Sequence, residues 1–453
     1  MDKTIFRSYD IRGIYPSQID EESAYTIGKS YGSYLQEKYN IKTCVVGHDN
    51  RLSSESLTNE LKKGIKDTGV DVIDFGLITT PMHYFSRKIY HLPGIMVTAS
   101  HNPKEDNGFK FSFDEHVNAR GKMIEDFTNY TFAGNFLNGN GTERKENIKQ
   151  EYLTFMKEHT KMGDKKIKVI FDPGNGTTSI ILKQIISMFD SILPIYINDE
   201  SDGNFPNHHP DPAVEENMEQ LKQAVIKEHA DLGVAYDGDG DRIGVVDEQG
   251  NYIPIDKLMI IYIRHLIKTA KNKEFLYDVK CSKSLEDEII KLGGKPLCYL
   301  TGASFTEYGV LSNNLDFGGE FSGHLFFNDR DLEFGSAIYA SLRLIEILSQ
   351  TEKPASTLLE GITIYESTPE IKVAIPENQK TSVIEHVKEY CTNKNYQINT
   401  LDGVRVTFDD GWALVRASNT GPNLTIRFEA TTTKRLKEIQ EEFTTLLKTL
   451  IVN

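Results

Sequence analysis

The sequence predicts an α/β protein of three topologically similar α/β domains followed by a smaller C-terminal α+β domain. Two observations carry this. Short β-rich runs alternate with amphipathic helical stretches, and one strand–turn–helix–strand–strand unit recurs three times before the pattern changes.

In the first unit, residues 42–47 (KTCVVG) read as a strand, HDNRLSS as a polar turn, and the stretch through Lys66 as a helix. VDVIDFG and the apolar GIMVTASHNP follow as further strand and loop. The second unit repeats this with KVIFD, PGNGTTS, the helix IILKQIISMF, then SILPIYI and LGVAYDGDGDR. The third runs FLYDV, KCSKS, the helix LEDEIIKLG, then KPLCYL and FGGEFSGH. Each unit therefore ends on an apolar strand emptying into a Gly-rich or polar loop, the place where open α/β sheets bind ligands. From about Pro369 the segments IKVAI, GVRVTF, WALVRAS and LTIRFEA alternate at a β period between two helical stretches. The expected domains are 1–148, 149–252, 253–366 and 367–453.

Composition narrows the function. The 453 residues carry a formal net charge of -15, which argues against nucleic acid as a partner. No apolar run approaches the ~20 residues of a membrane span, and Met1-Asp2-Lys3-Thr4 lacks the apolar start of a signal peptide. Cys44, Cys281, Cys298 and Cys391 show no metal-ligand spacing and read as free thiols, so a cytoplasmic location is expected. An anionic ligand must then meet local positive charge set into an acidic chain.

Four loops carry chemistry. In Thr98-Ala99-Ser100-His101-Asn102-Pro103 a hydroxyl at a strand end lies beside an imidazole, a nucleophile or phosphoacceptor arrangement that is equally an ordinary turn. In the next strand Phe109, Phe111 and Phe113 share one face, so Lys110 points to the other, toward Ser100 or toward solvent. Asp237-Gly238-Asp239-Gly240-Asp241-Arg242 is the strongest signal, because three carboxylates at alternate positions need a cation to be neighbours. An EF-hand is excluded: its sixth position, a required glycine, is Arg242, and strands rather than helices flank the loop. A hard cation with phosphate oxygens in its shell, and Arg242 on that phosphate, fits instead.

Gly319-Glu320-Phe321-Ser322-Gly323-His324 offers a carboxylate and a hydroxyl on one face, a handle for sugar hydroxyls or a structural turn. Arg416-Ala417-Ser418-Asn419-Thr420-Gly421 joins a fixed cation to short hydrogen-bonding side chains, a phosphate cradle or a polar turn, with Arg427 after it. Pro173-Gly174-Asn175-Gly176-Thr177-Thr178 reads as a structural turn, lacking a lysine and a dinucleotide fingerprint.

The ordered set TASHNP, DGDGDR, GEFSGH and RASNTGP resembles the α-D-phosphohexomutase superfamily, in its phosphomannomutase/phosphoglucomutase branch. FRSYDIRG, DGNFPNHHPDP, DVKCS, STPEI and DGVRV extend the likeness along nearly the whole chain. The resemblance implies a monomer whose four domains line one central cleft. It implies a mutase that interconverts hexose 1-phosphate and hexose 6-phosphate of mannose or glucose through a hexose 1,6-bisphosphate, which also serves as activator. Ser100 would be the phosphoserine, and Asp237, Asp239 and Asp241 would bind Mg²⁺ together with a phosphoserine oxygen. Arg12, His101, Lys110 and Arg242 would surround the phosphoryl group, with Lys110 and His101 as acid/base groups. Glu320 and Ser322 would hold sugar hydroxyls, and Arg416, Ser418, Asn419 and Thr420 the phosphate not undergoing transfer. Tyr9, Lys280 and His324 match positions near the cleft.

One stretch departs from the pattern. The branch usually has Thr-Gly-His-Ser followed by a lysine, and often preceded by one; here Leu300-Thr301-Gly302-Ala303-Ser304-Phe305-Thr306-Glu307 loses the imidazole and reverses the charge. This implies an altered sugar preference, or weaker binding in one orientation, with phosphoryl chemistry intact. The rival readings are a phosphoglucosamine mutase and a phosphosugar-binding protein without turnover.

Overall fold

The computed structural model describes residues 1–418 and 421–451. Its backbone forms four sheets, and the three repeats of the sequence are visible as three equivalent strand arrangements. In the first, Thr43–His48 pairs parallel with both Asp71–Leu77 and Gly94–Val97, and Gly94–Val97 turns back antiparallel as Asp106–Phe111. In the second, Ile167–Asp172 lies parallel to Ile192–Tyr196 and Leu232–Tyr236, which returns as Ile243–Asp247. In the third, Glu274–Asp278 lies parallel to Lys295–Tyr299 and Phe317–Gly319, which returns as Leu325–Phe327. The loop between the last two strands of each unit is one of the chemical loops, so the sheets aim all three at common ground. The fourth sheet has six strands, all antiparallel, covered by the helices Lys380–Asn393 and Thr433–Leu450.

One continuous apolar core joins the first three units. It runs from Val45 and Phe85 through Tyr236 to Tyr262 and the helix Ala337–Ser349. Inside it the hydroxyls are paired: Tyr236 Oη lies 2.8 Å from Ser341 Oγ, and Tyr262 donates to the Ala340 carbonyl at 2.8 Å. Burying such rings without partners for their hydroxyls would be costly. The fourth unit has its own core around Val406, Ile426, Phe428 and Phe443. It meets the third unit through an apolar cluster of Val279, Trp412 and Leu414 and through two arginines: Arg405 donates to the Val279 carbonyl at 2.7 Å, and Arg427 stacks on Phe321 at 3.9 Å. Arg427 is thus a brace between the third and fourth units.

One predicted helix is shorter than its apolar spacing suggests. Within the stretch IILKQIISMF only Leu182–Ile186 is α-helical, and the end of the preceding PGNGTTS turn forms a 3₁₀ turn, Thr177–Ile180. Thr177 N–H donates to the Gly238 carbonyl at 2.8 Å, and Thr177 Oγ1 accepts from Asn50 N–H at 3.1 Å. The first turn braces the aspartate loop in place of continuing a helix. All four cysteines are unpaired thiols, and among the described residues no helix is long and apolar enough to cross a membrane.

Candidate active site

Ser100 is buried at 1% exposure at the end of Gly94–Val97, with φ +53, a left-handed conformation that non-glycine residues seldom adopt. Its surroundings hold it there. Arg51 donates through Nη2 to the Ser100 and Asn102 carbonyls, both at 2.7 Å, and through Nη1 to the Pro103 and Asp106 carbonyls. Ser100 N–H donates to Thr98 Oγ1 at 2.9 Å. The aspartate loop then closes on the serine from the second unit: Ser100 Oγ donates to Asp237 Oδ2 at 2.6 Å. A Cβ at Gly238 would come within 2.5 Å of the Ser100 carbonyl, so this approach requires glycine.

The glycines let the loop curl, and one oxygen each from Asp237, Asp239 and Asp241 lies within 4.8 Å of the others, all three residues being buried. Asp237 Oδ1 accepts the N–H groups of Gly240, Asp241 and Arg242, each at 3.0 Å. Asp239 Oδ2 accepts from Thr80 Oγ1 at 2.7 Å, while its Oδ1 is buried with no hydrogen-bond partner. An orphaned carboxylate oxygen inside a buried triad of hard oxygen donors fits a metal cation. Lys110 reaches the same place: its Nζ lies 2.7 Å from Asp239 and 2.6 Å from Asp241. Burial opposes its charge, but these two carboxylates hold it well above the usual lysine range. Burial, with Asp239 and Asp241 alongside, pushes Asp237 well above the usual carboxylate range.

His101 Nδ1 is 3.4 Å from Ser100 Oγ, and burial with Arg242 and Arg12 holds the imidazole well below its usual range, hence neutral. Arg12 is fixed by Asp10 Oδ2 at 2.7 Å and by the Ala99 carbonyl and Asn102 Oδ1 at 3.0 and 2.8 Å. Arg242 is buried at 9% exposure, with Nη1 3.9 Å from Asp211.

The third unit is stitched to this centre. His324 stands between Asp241 Oδ1 at 3.2 Å and Glu320 Oε2 at 3.0 Å, linking the aspartate loop to Glu320. Ser322 Oγ lies 3.1 Å from His324 Nδ1. Lys280 Nζ is 3.2 Å from Glu370 and 3.7 Å from Asp278, and these carboxylates outweigh its burial and raise it above the usual lysine range. Tyr9 packs edge-on against Phe305 at 6.5 Å. In the fourth unit Arg416 Nε pairs with Asp402 at 3.0 Å, and Nη2 is buried with no hydrogen-bond partner among the described residues. Ser418 is in the wall of a cavity of about 650 Å³ that also touches Arg7, Leu300, Thr301 and Phe305. Asn419 and Thr420 lie outside the described residues.

The structure thus gathers Ser100, His101, Lys110, Arg12, Arg242 and the aspartates into one cluster, joined through His324 to Glu320 and Ser322. Sequence reading missed Arg51, which builds the serine turn, and Asp402 and Glu370, which hold Arg416 and Lys280. Arg51 did carry a signal, sitting in the equivalent turn of the first repeat.

This combination of three repeated α/β units, a fourth unit and one serine–carboxylate cluster defines a four-domain α/β protein with an interdomain active centre. The description "Phosphoglucomutase/phosphomannomutase, alpha/beta/alpha domain I" matches residues 3–137, with domains II and III at 150–250 and 254–365 and the C-terminal domain at 370–446. The chain belongs to the phosphoglucomutase/phosphomannomutase family, within the α-D-phosphohexomutase superfamily. It is 39% identical over 449 residues to a phosphomannomutase/phosphoglucomutase of Pseudomonas syringae pv. tomato, covering 98% of this chain and 95% of that one. A phosphoglucomutase of Neisseria gonorrhoeae is 33% identical, with 98% and 97% covered. Among solved structures, a phosphoglucomutase/phosphomannomutase family protein of Burkholderia thailandensis superimposes with a TM-score of 0.90 at 32% identity, covering 99% and 98%.

Proposed function

We propose that the chain is a phosphohexomutase that interconverts the 1- and 6-phosphates of mannose and glucose. Its relatives named phosphomannomutase/phosphoglucomutase support the class. The observation that carries the mechanism is the 2.6 Å contact of a strained, buried Ser100 with Asp237, inside an aspartate triad and between Arg12 and Lys110.

Ser100 in this reading carries a phosphoryl group. A hydroxyl of the hexose monophosphate attacks phosphorus, the bond from phosphorus to Ser100 Oγ breaks, and a hexose 1,6-bisphosphate forms. The proton given up by that hydroxyl is the one that Ser100 Oγ gains, so none is released overall. His101, neutral and 3.4 Å from Oγ, is the side chain that exchanges the serine proton. Arg12, Arg242 and the protonated Lys110 neutralise oxygen charge, which is most of what phosphoryl transfer requires. Asp237, Asp239 and Asp241 would hold Mg²⁺, which supplies further charge neutralisation at the phosphoryl oxygens. The bisphosphate turns within the cleft and returns its other phosphoryl group to Ser100.

Turning requires a grip that serves both orientations. Glu320 and Ser322 supply it for the sugar, and Arg416, Ser418, Asn419 and Thr420 cradle whichever phosphate is idle. The orphaned Arg416 Nη2 supports that role. Tyr9 and Lys280 complete the walls. Hexose 1,6-bisphosphate is the activator that charges Ser100, and the enzyme acts as a cytoplasmic monomer. A coupled assay with mannose, glucose and glucosamine phosphates, Mg²⁺ and bisphosphate tests this. Turnover of a mannose or glucose phosphate is expected; turnover of the glucosamine ester alone would replace the reading with phosphoglucosamine mutase.

A further inference from the structure

The helix Ala303–Ser312 presents its beginning to the cleft and its far side to the first unit. At its start, Gly302 N–H donates to Glu320 Oε1 in a very short contact, and Thr301 N–H donates to Asp402 Oδ2 at 3.0 Å. Thr301 Oγ1 donates to Asp278 Oδ2 at 3.3 Å. These contacts fix the carboxylate that grips the sugar, and they depend on where the helix sits.

One side of the helix packs on its own sheet through Val310 and Leu276, and the side toward the first unit carries a buried carboxyl group. Glu307 is 1% exposed, and its Oε2 accepts the Asn118 N–H of the first unit at 2.9 Å. Asn118 is itself fixed, its Oδ1 accepting from Arg87 Nη1 at 2.7 Å. Beside it Arg120 stacks on the Tyr308 ring at 3.6 Å, and Phe305 meets Tyr9 edge-on at 6.5 Å. A carboxyl group shut away from water beside one backbone N–H donor is expensive, and an apolar residue of similar size would stabilise the interface at least as well. What a directional acceptor adds is a fixed position.

We propose that Glu307 is a positioning residue for the mutase reaction: by accepting the Asn118 N–H it seats the helix Ala303–Ser312 on the first unit and so sets Gly302 and Thr301 against Glu320 and Asp278. The idea rests on the mutase reading and adds a role for a residue outside the reacting cluster. It also explains how a loop without an imidazole at Ala303 keeps its sugar carboxylate in place.

The test compares wild type, Glu307→Ala and Glu307→Gln. Binding of glucose 1-phosphate to unphosphorylated protein is measured by calorimetry without bisphosphate, and steady-state kinetics are measured with it. Losing one directional hydrogen bond should raise Kd and KM of the alanine variant about tenfold with kcat within about twofold. Glutamine keeps a carbonyl oxygen at the position and should restore both constants to within about twofold of wild type. Unchanged Kd and KM in the alanine variant, or a glutamine variant as impaired as alanine, overturns the proposal. Should the alanine variant fail to fold, Arg120→Ala, which removes the stack on Tyr308 and the donation to the Asn118 carbonyl at 3.2 Å, should raise KM about threefold; an unchanged KM there overturns the proposal equally. Wild-type turnover with an unaffected alanine variant defeats the positioning role alone. No wild-type turnover of any hexose phosphate defeats the mutase reading and this role with it.

Discussion

At the contact between the first and second units, Ser100, Thr98, Thr80 and Lys110 meet the aspartate loop through side-chain bonds of 2.6 to 3.1 Å. At the contact between the first and third units, the helix Ala303–Ser312 meets the first unit through the Glu307 carboxyl group, the Arg120–Tyr308 stack and the Phe305–Tyr9 ring pair, with Lys88 paired to Glu333 nearby. The first contact is a network in which each partner is fixed by several others. On the face of the helix Ala303–Ser312, the second is a set of separate attachments that share no partner. A network keeps reacting groups within the tolerance phosphoryl transfer demands. Single attachments can be exchanged one at a time, which is where a sugar preference can drift without loss of chemistry.

The comparison predicts graded damage. Ser100→Ala removes the phosphoryl carrier and should lower turnover by at least about 10³-fold, measured in the coupled assay. Asp239→Asn removes one of the three proposed metal carboxylates and one of the two that pair with Lys110, so kcat should fall by about 10²- to 10³-fold, with added Mg²⁺ restoring only part. His324→Ala cuts the one side chain joining Asp241 to Glu320. Its effect should be smaller, about 10- to 100-fold in kcat/KM, and a variant at wild-type activity would show that the two contacts work independently.

The smallest effect is on stability against pH at the other contact. Burial raises the Glu307 carboxyl from its ordinary 4.5 to about 7, despite Arg87 and Arg120 nearby, with Asp114 acting the same way as burial. Lys88, His91, Glu115, His116 and Glu333 ring the small cavity beside it. The folded chain therefore keeps a proton that the unfolded chain releases, and stability contributed by the neutral form is lost as pH rises from about 4.5 to about 7. Glu307→Gln should gain on wild type across that window, by up to about 3 kcal/mol, in denaturant melts at several pH values. A constant difference would contradict the buried-carboxyl account.

Much of the reacting cluster was legible in the sequence because its chemistry is local. Ser100 with His101, the three aspartates, and Glu320 with Ser322 and His324 each lie within a few consecutive residues, so spacing alone groups them. The repeats were legible for the same reason: each strand and its following loop are contiguous. What holds these groups was not legible. Arg51 binds Ser100 across 49 positions and Glu307 binds Asn118 across 189, and nothing in either neighbourhood announces a partner so distant. Arg427 carried no such signal: it follows the phosphate loop in the chain, and nothing local announces that its guanidinium stacks on Phe321 of the third unit. The shortened helix at Leu182–Ile186 belongs here too, since its apolar spacing carried no trace of the Gly238 carbonyl that captures Thr177.

The central claim is that Ser100 relays a phosphoryl group, and intact-protein mass after incubation with hexose 1,6-bisphosphate tests it most directly. The account predicts a gain of one phosphoryl group on the wild-type chain, mapped to Ser100 and absent from Ser100→Ala. A wild-type enzyme that turns over hexose phosphates without ever carrying that group, or a Ser100→Ala variant that acquires it, would contradict the account.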